Sequence, residues 1–207
     1  MNMKYLNNEN MPMLIAMLVA AMAIVIAVIL FVRYVYRTAD SRKIERIIRK
    51  CSVAFERDVV FSNGIGGYFF IDYLILLQGG ILALNYSRVE GYVFGGENIA
   101  LWTQVENNKS TKFKNPLEDL RLFVKHAADQ VKFDGIMARV LFSSRSEFPK
   151  GVPEGVLQLA NFKESLTACA GAALAAEAAN RAWEELSALL AESRERYNRE
   201  TGQRRSQ

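Results

Sequence analysis

The 207-residue chain reads as an α/β protein: a small mixed sheet flanked by helices, preceded by one N-terminal transmembrane helix and followed by a C-terminal alanine-rich amphipathic helix. Three observations predict this. An unbroken apolar run, Met13 to Val32, lies near the N-terminus. Two β-branched and aromatic runs around Asp72, joined by Gln78-Gly79-Gly80, form the middle. Beyond Asn161 the composition turns to alanine and interspersed charges at helical spacing.

The apolar run has the length needed to cross a hydrocarbon core of about 30 Å. Its head carries Lys4 and Glu9, which cancel, and it ends in Phe31-Val32-Arg33-Tyr34 rather than a small-residue cleavage site. A retained span is therefore expected instead of a signal peptide. Arg33, Arg37, Arg42, Lys43, Arg46, Arg49 and Lys50 follow it, against Asp40 and Glu45. The positive-inside rule then expects a single-pass protein of the inner or plasma membrane with its bulk in the cytoplasm. Tyr34 and Tyr36 suit the same interface. The expected division is a segment 1–12 outside, a span 13–36, an α/β unit 37–165, a helix 166–201 and a disordered tail 202–207.

Within the α/β unit, Ile44, Ile47, Ile48 and Cys51 predict a helix over Ser41–Phe55, with Asp40 or Ser41 as its N-cap. Val59–Phe61 and Tyr68–Leu77 read as strands joined by Ser62-Asn63-Gly64-Ile65-Gly66-Gly67. No helix and no Lys-Ser/Thr follow those glycines, so a hairpin turn is expected rather than a phosphate loop. Ile81–Leu84 resumes the apolar pattern after a second turn. Glu118–Val131 is a helix with Leu120, Phe123, Val124 and Ala127 inward, Ile136–Phe142 a strand, and Val156–Leu159 a short last strand. In the C-terminal helix Trp183, Leu186, Leu190 and Tyr197 share a face. That face either covers the domain's own sheet or serves self-association or a protein partner.

Several chemistries are excluded. His126 is the lone histidine, and Cys51 and Cys169 lie far apart without metal-ligand spacing. No Walker A or dinucleotide fingerprint occurs. The net charge of +4 is modest. Asp72 stands out as a carboxylate inside a strand bound for a core, a costly position unless it is exposed or partnered. Trp102, Tyr92, Phe94 and Phe113 read as core rather than as a base-stacking platform.

The order Ile71-Asp72, Gly80, Gly91-Tyr92-Val93-Phe94-Gly95, Trp102-Thr103-Gln104, Phe113-Lys114-Asn115-Pro116-Leu117 resembles the NERD, or nuclease-related, domain over roughly residues 42 to 165. That family is similar in fold to the PD-(D/E)xK nucleases, which implies a restriction-endonuclease-like sheet. The resemblance places the site at Asp72 and at a Glu-x-Lys whose two positions hold Asn85 and Ser87 here; Asp119 stands at a usual Gln. In such a site two carboxylates hold Mg²⁺ and the lysine orients water. With a neutral Asn85 and a short Ser87, the pattern implies weak or absent Mg²⁺ binding and impaired cleavage, leaving binding of DNA or RNA near the membrane. Glu45 is the candidate second metal carboxylate beside Asp72. Lys109, Lys112 and Lys114 form a small basic patch for phosphate, in a polar connection before Pro116. An adaptor working through the C-terminal helix is the alternative. A nuclease with a rebuilt site, using a lysine such as Lys125, is the third reading. Asp72 would otherwise be capped by backbone donors or paired with Arg88.

Overall fold

The computed structural model describes residues 11–169 and 176–205, and the backbone alone for 11–14, 31–38 and 203–205. The elements in chain order are α1 (Met11–Cys51), β1 (Ala54–Ser62), β2 (Tyr68–Leu77), β3 (Gly80–Ser87), β4 (Gly91–Phe94), β5 (Leu101–Glu106), β6 (Lys109–Lys114), α2 (Pro116–Val131), β7 (Ile136–Phe142), β8 (Ser146–Glu147), β9 (Val156–Gln158), α3 (Phe162–Ala168) and α4 (Ala176–Arg205). They fall into two units, residues 1–43 and 44–207.

The first unit is helical where it is described. α1 runs through Asp40 and Ser41 without a break, so no separate helix is capped there. Among the described residues no helix is long and apolar enough to cross a membrane. This corrects the expected transmembrane helix over 13–36, and with it the single-pass placement in the inner or plasma membrane with a cytoplasmic bulk. Residues 1–10 and the side chains of Tyr34 and Tyr36 lie outside the described residues.

In the second unit the expected mixed α/β architecture is present, but its strands form two sheets. The larger has the order β1-β2-β3-β7-β9, and the smaller β6-β5-β4-β8. β1, β2 and β3 are antiparallel, while β7 runs parallel to β3 and β9 parallel to β7. β3 is buried on both faces because its alternate residues enter two cores. Ile81 and Ala83 meet the cluster that holds Leu120, Phe123 and Ala127 of α2 and Leu186 and Leu190 of α4. Leu82 and Leu84 meet Ile44 and Ile48 of α1 and Phe162 and Leu166 of α3. Burying both faces is what makes this strand read as a continuous apolar run.

Both glycine-marked hairpins form as expected. In the first, Asn63 Oδ1 accepts from the N–H groups of Ile65 (3.0 Å) and Gly67 (2.8 Å), and Gly64 (φ 76) and Gly66 (φ 88) take the left-handed conformations the turn requires. The polar connection before Pro116 is instead a third hairpin, β5–β6. It turns on Asn107 and Asn108, both at positive φ (49 and 60), as tight hairpin turns demand.

α4 lays Ala179, Ala182, Leu186 and Leu190 into its own domain's core. This favours the domain-covering reading of that face. The helix continues to Arg205, through part of the expected tail. Residues 170–175 and 206–207 lie outside the described residues.

Candidate functional site

The site begins with a paired fault in β1 and β2. Arg57 pairs with Tyr73 and Val59 with Ile71, but the residues between them, Asp58 and Asp72, drop out of the ladder. Asp58 has φ 50, a strained conformation for a residue with a side chain. Alternation in β2 slips here too: Ile71, Leu74 and Leu76 all join one core cluster. Arg194 of α4 covers the fault from outside, its Nη2 donating to the carbonyls of Arg57 (3.3 Å) and Asp58 (3.1 Å). Asp72 is consequently exposed although Ile71 and Tyr73 on either side are buried. The cost of a carboxylate in this strand is thereby avoided.

On its other edge β2 parts from β3, and regular pairing ends at Tyr73 with Leu84. Two side chains bridge the gap. Asn85 Oδ1 accepts from the Asp72 N–H at 2.8 Å, and its Nδ2 donates to the Phe70 carbonyl at 3.4 Å. Asp72 Oδ2 accepts from the Tyr86 N–H at 2.7 Å. Asp72 is thus held by a backbone donor, one of the two non-metal alternatives. Arg88 is not its partner; that guanidinium lies over the Tyr86 ring. Asn85 and Ser87 are two apart on β3 and so share a face.

Asp72, Asn85 and Ser87 line a cleft of about 800 Å³ whose opposite wall is α2. From that helix come Asp119, Lys125, His126 and Asp129. Lys125 is the lysine named by the rebuilt-site reading, and it lines the cleft. His126 and Asp129 were missed; their three-residue spacing on a helix facing β3 was the available signal. His126 is framed by the rings of Phe61 and Phe69 at 5.8 and 6.3 Å.

Other candidates lie apart from this cleft. Glu45 does not line it: its carboxylate bonds Arg49 (2.6 Å) and Arg57 (2.8 Å), and the Arg49 hydrogen bond, with both guanidinium charges, holds its pKa below the ordinary value. Lys114 Nζ bonds Asp119 at 2.7 Å, which raises the lysine's pKa. On β6, alternation puts Lys112 and Lys114 on one face and Lys109 on the other, so the three make no single patch.

The donor set bears directly on Mg²⁺, which asks for near-octahedral oxygen coordination. Among the described residues no three of His, Cys, Asp and Glu converge on one point. Asp72 has one oxygen engaged by a backbone donor, and the oxygen of Asn85 is engaged likewise. Asp72 and Asn85 thus do not supply the two carboxylates that the family resemblance implies for Mg²⁺.

The remaining motif residues serve architecture. A Cβ on Gly95 would lie 2.1 Å from the Trp102 ring, and one on Gly91 (φ 79) would lie 2.5 Å from the Val105 carbonyl. Trp102 is fully buried, as the core reading expected, and its Nε1 donates to the Gly96 carbonyl. Tyr92, by contrast, is exposed. Gln104 Nε2 donates to the Glu90 carbonyl at 2.8 Å. Asn115 caps α2, its Oδ1 accepting from the Leu117 N–H, while its Nδ2 donates to the carbonyls of Glu97 and Ile99.

The mixed sheet thus places an acidic residue at the parting of two strands, facing a helix across a cleft. The family model of the nuclease-related domain (NERD) matches residues 38–143, half of the chain. The chain belongs to the nuclease-related domain family. Comparisons with curated proteins and with solved structures gave no match.

Proposed function

We propose that this nuclease-related domain binds nucleic acid, DNA or RNA, and does not cleave it by the metal-dependent route. The observation that carries this reading is that the side-chain oxygens of Asp72 and Asn85 both accept from main-chain N–H groups. The side chains at the two positions where the family resemblance implies metal ligands are bonded to main chain, Asp72 to the Tyr86 N–H and Asn85 to the Asp72 N–H. Ser87 brings no ammonium to orient water. Membership in the family supports nucleic acid as the ligand class. Lys125 at the cleft and the exposed Lys109 and Lys112 are among the cations available to phosphate.

The test uses the full chain with labelled DNA and RNA oligonucleotides, with and without Mg²⁺ or Mn²⁺. Binding is expected at low salt, with a logarithmic salt slope of about −2, as two or three phosphate contacts give. No cleavage above the level of Asp72→Ala is expected in either metal. Metal-dependent cleavage lost cleanly in Asp72→Asn would overturn the pseudo-enzyme part. Absence of binding at low salt would overturn the rest.

A further inference from the structure

We propose that the cleft beside Asp72 takes one unpaired nucleobase, stacked on the exposed ring of Phe70 and held through an exocyclic amino group by the Asp72 carboxylate. This rests on the reading that nucleic acid is the ligand and narrows it to single strands with amino-bearing bases.

Phe70 is 59% exposed on β2, although its neighbours Phe69 and Ile71 pack into or against the core. Its ring is nevertheless braced. Tyr197 of α4 meets it edge-on, with centroids 5.7 Å apart, and meets Tyr68 edge-on at 5.1 Å. A ring fixed in this way loses little freedom on binding, which favours it as a stacking platform. Ile65 (90% exposed) and Leu122 (52% exposed) extend the apolar rim of the same cleft.

The charges around the cleft select which part of a nucleotide enters. Asp72, Asp119 and Asp129 line it with Lys125, and Asp119 is paired with Lys114, so three carboxylates face two ammonium groups. That balance opposes a continuous track of phosphates, and a duplex would bring two such strands. A base is uncharged and presents N–H donors on its edge when unstacked. Adenine, cytosine and guanine carry exocyclic amino groups, whereas thymine does not. Asp72 is placed to accept from one: the Tyr86 N–H engages its Oδ2. Among the described residues its Oδ1 remains for a ligand donor.

Fluorescence anisotropy with the full chain tests this, using labelled oligo(dA), oligo(dC) and oligo(dT) of one length and a duplex of the same length. Oligo(dA) and oligo(dC) are expected to bind more tightly than oligo(dT) or duplex. Phe70→Ala is expected to weaken their binding about tenfold, the loss of one base–aromatic stack, and Phe70→Trp to retain it. Asp72→Asn is expected to erase the preference over oligo(dT), with circular dichroism unchanged. Equal affinity for all probes, or binding indifferent to Phe70→Ala, overturns the proposal while nucleic-acid binding stands. No binding of any probe at low salt removes the broader reading first, and this one with it.

Discussion

At the scale of single residues, Asn85 joins two strands whose main chains have separated. Its carboxamide offers an acceptor to the Asp72 N–H and a donor to the Phe70 carbonyl, much as another strand would. Asn85→Ala removes both bonds and leaves the Asp72 N–H to solvent, because the site is open. The expected loss is about 1 kcal/mol, the net worth of such hydrogen bonds. A urea titration reads it, and an unchanged midpoint would mean that β2 and β3 are held together by other means. Asp72 could be singled out in the sequence because a carboxylate inside an apolar run has to be explained. How the fold accommodates it could not be read there. That depends on Asp58 in the neighbouring strand, which gives no local sign of its positive φ, and on Arg194, 122 positions after Asp72 in the sequence.

Among the elements, the second sheet is locked to β7 of the main sheet by a glycine and one buried indole. Gly95 passes against the face of Trp102, which in turn stacks on Phe142 of β7 with centroids 6.0 Å apart. Gly95→Ala would press a methyl into that ring, and the fully buried indole has no free space to yield. The expected destabilisation is about 3 kcal/mol, at the upper end for overpacking. Thermal unfolding measures it; a melting temperature within a degree or so of the parent would show that the loop shifts freely. Elements with strong local chemistry were legible: the Asn63-Gly64 and Gln78-Gly79 turns, the apolar stripe of α2, and β7. The β5–β6 hairpin was not. Its turn is Asn-Asn rather than Asn-Gly, and Lys109-Ser110-Thr111-Lys112 has no apolar residue to mark a period of two. Pro116 begins α2 two residues before the expected start, a position proline favours because its missing N–H is unneeded there.

Over the whole second unit, the main sheet is covered by helices on both faces, and one ionic group links the last turns of α1 to the sheet. Glu45 on α1 holds Arg49 of the same helix and Arg57 of β1, the residue beside the strained Asp58. Its pKa is lowered, first by the Arg49 hydrogen bond and then by the two guanidinium charges, against the cost of desolvation. A carboxyl whose folded pKa is depressed contributes stability that is fully present above its ordinary value of 4.5 and is lost as pH falls through the lower folded value. Glu45→Gln removes this contribution at every pH. The variant is therefore expected to melt below the parent at neutral pH, and the gap is expected to close as the parent's carboxylate takes up its proton. Because both arginines are about half exposed or more, water and salt screen the pairs, and the neutral-pH gap is expected to be about 0.5–1 kcal/mol. Melting temperatures of the two proteins across the acidic range decide it. A gap that stays constant from neutral pH to below the ordinary carboxylate value would show that Glu45 acts through packing rather than charge.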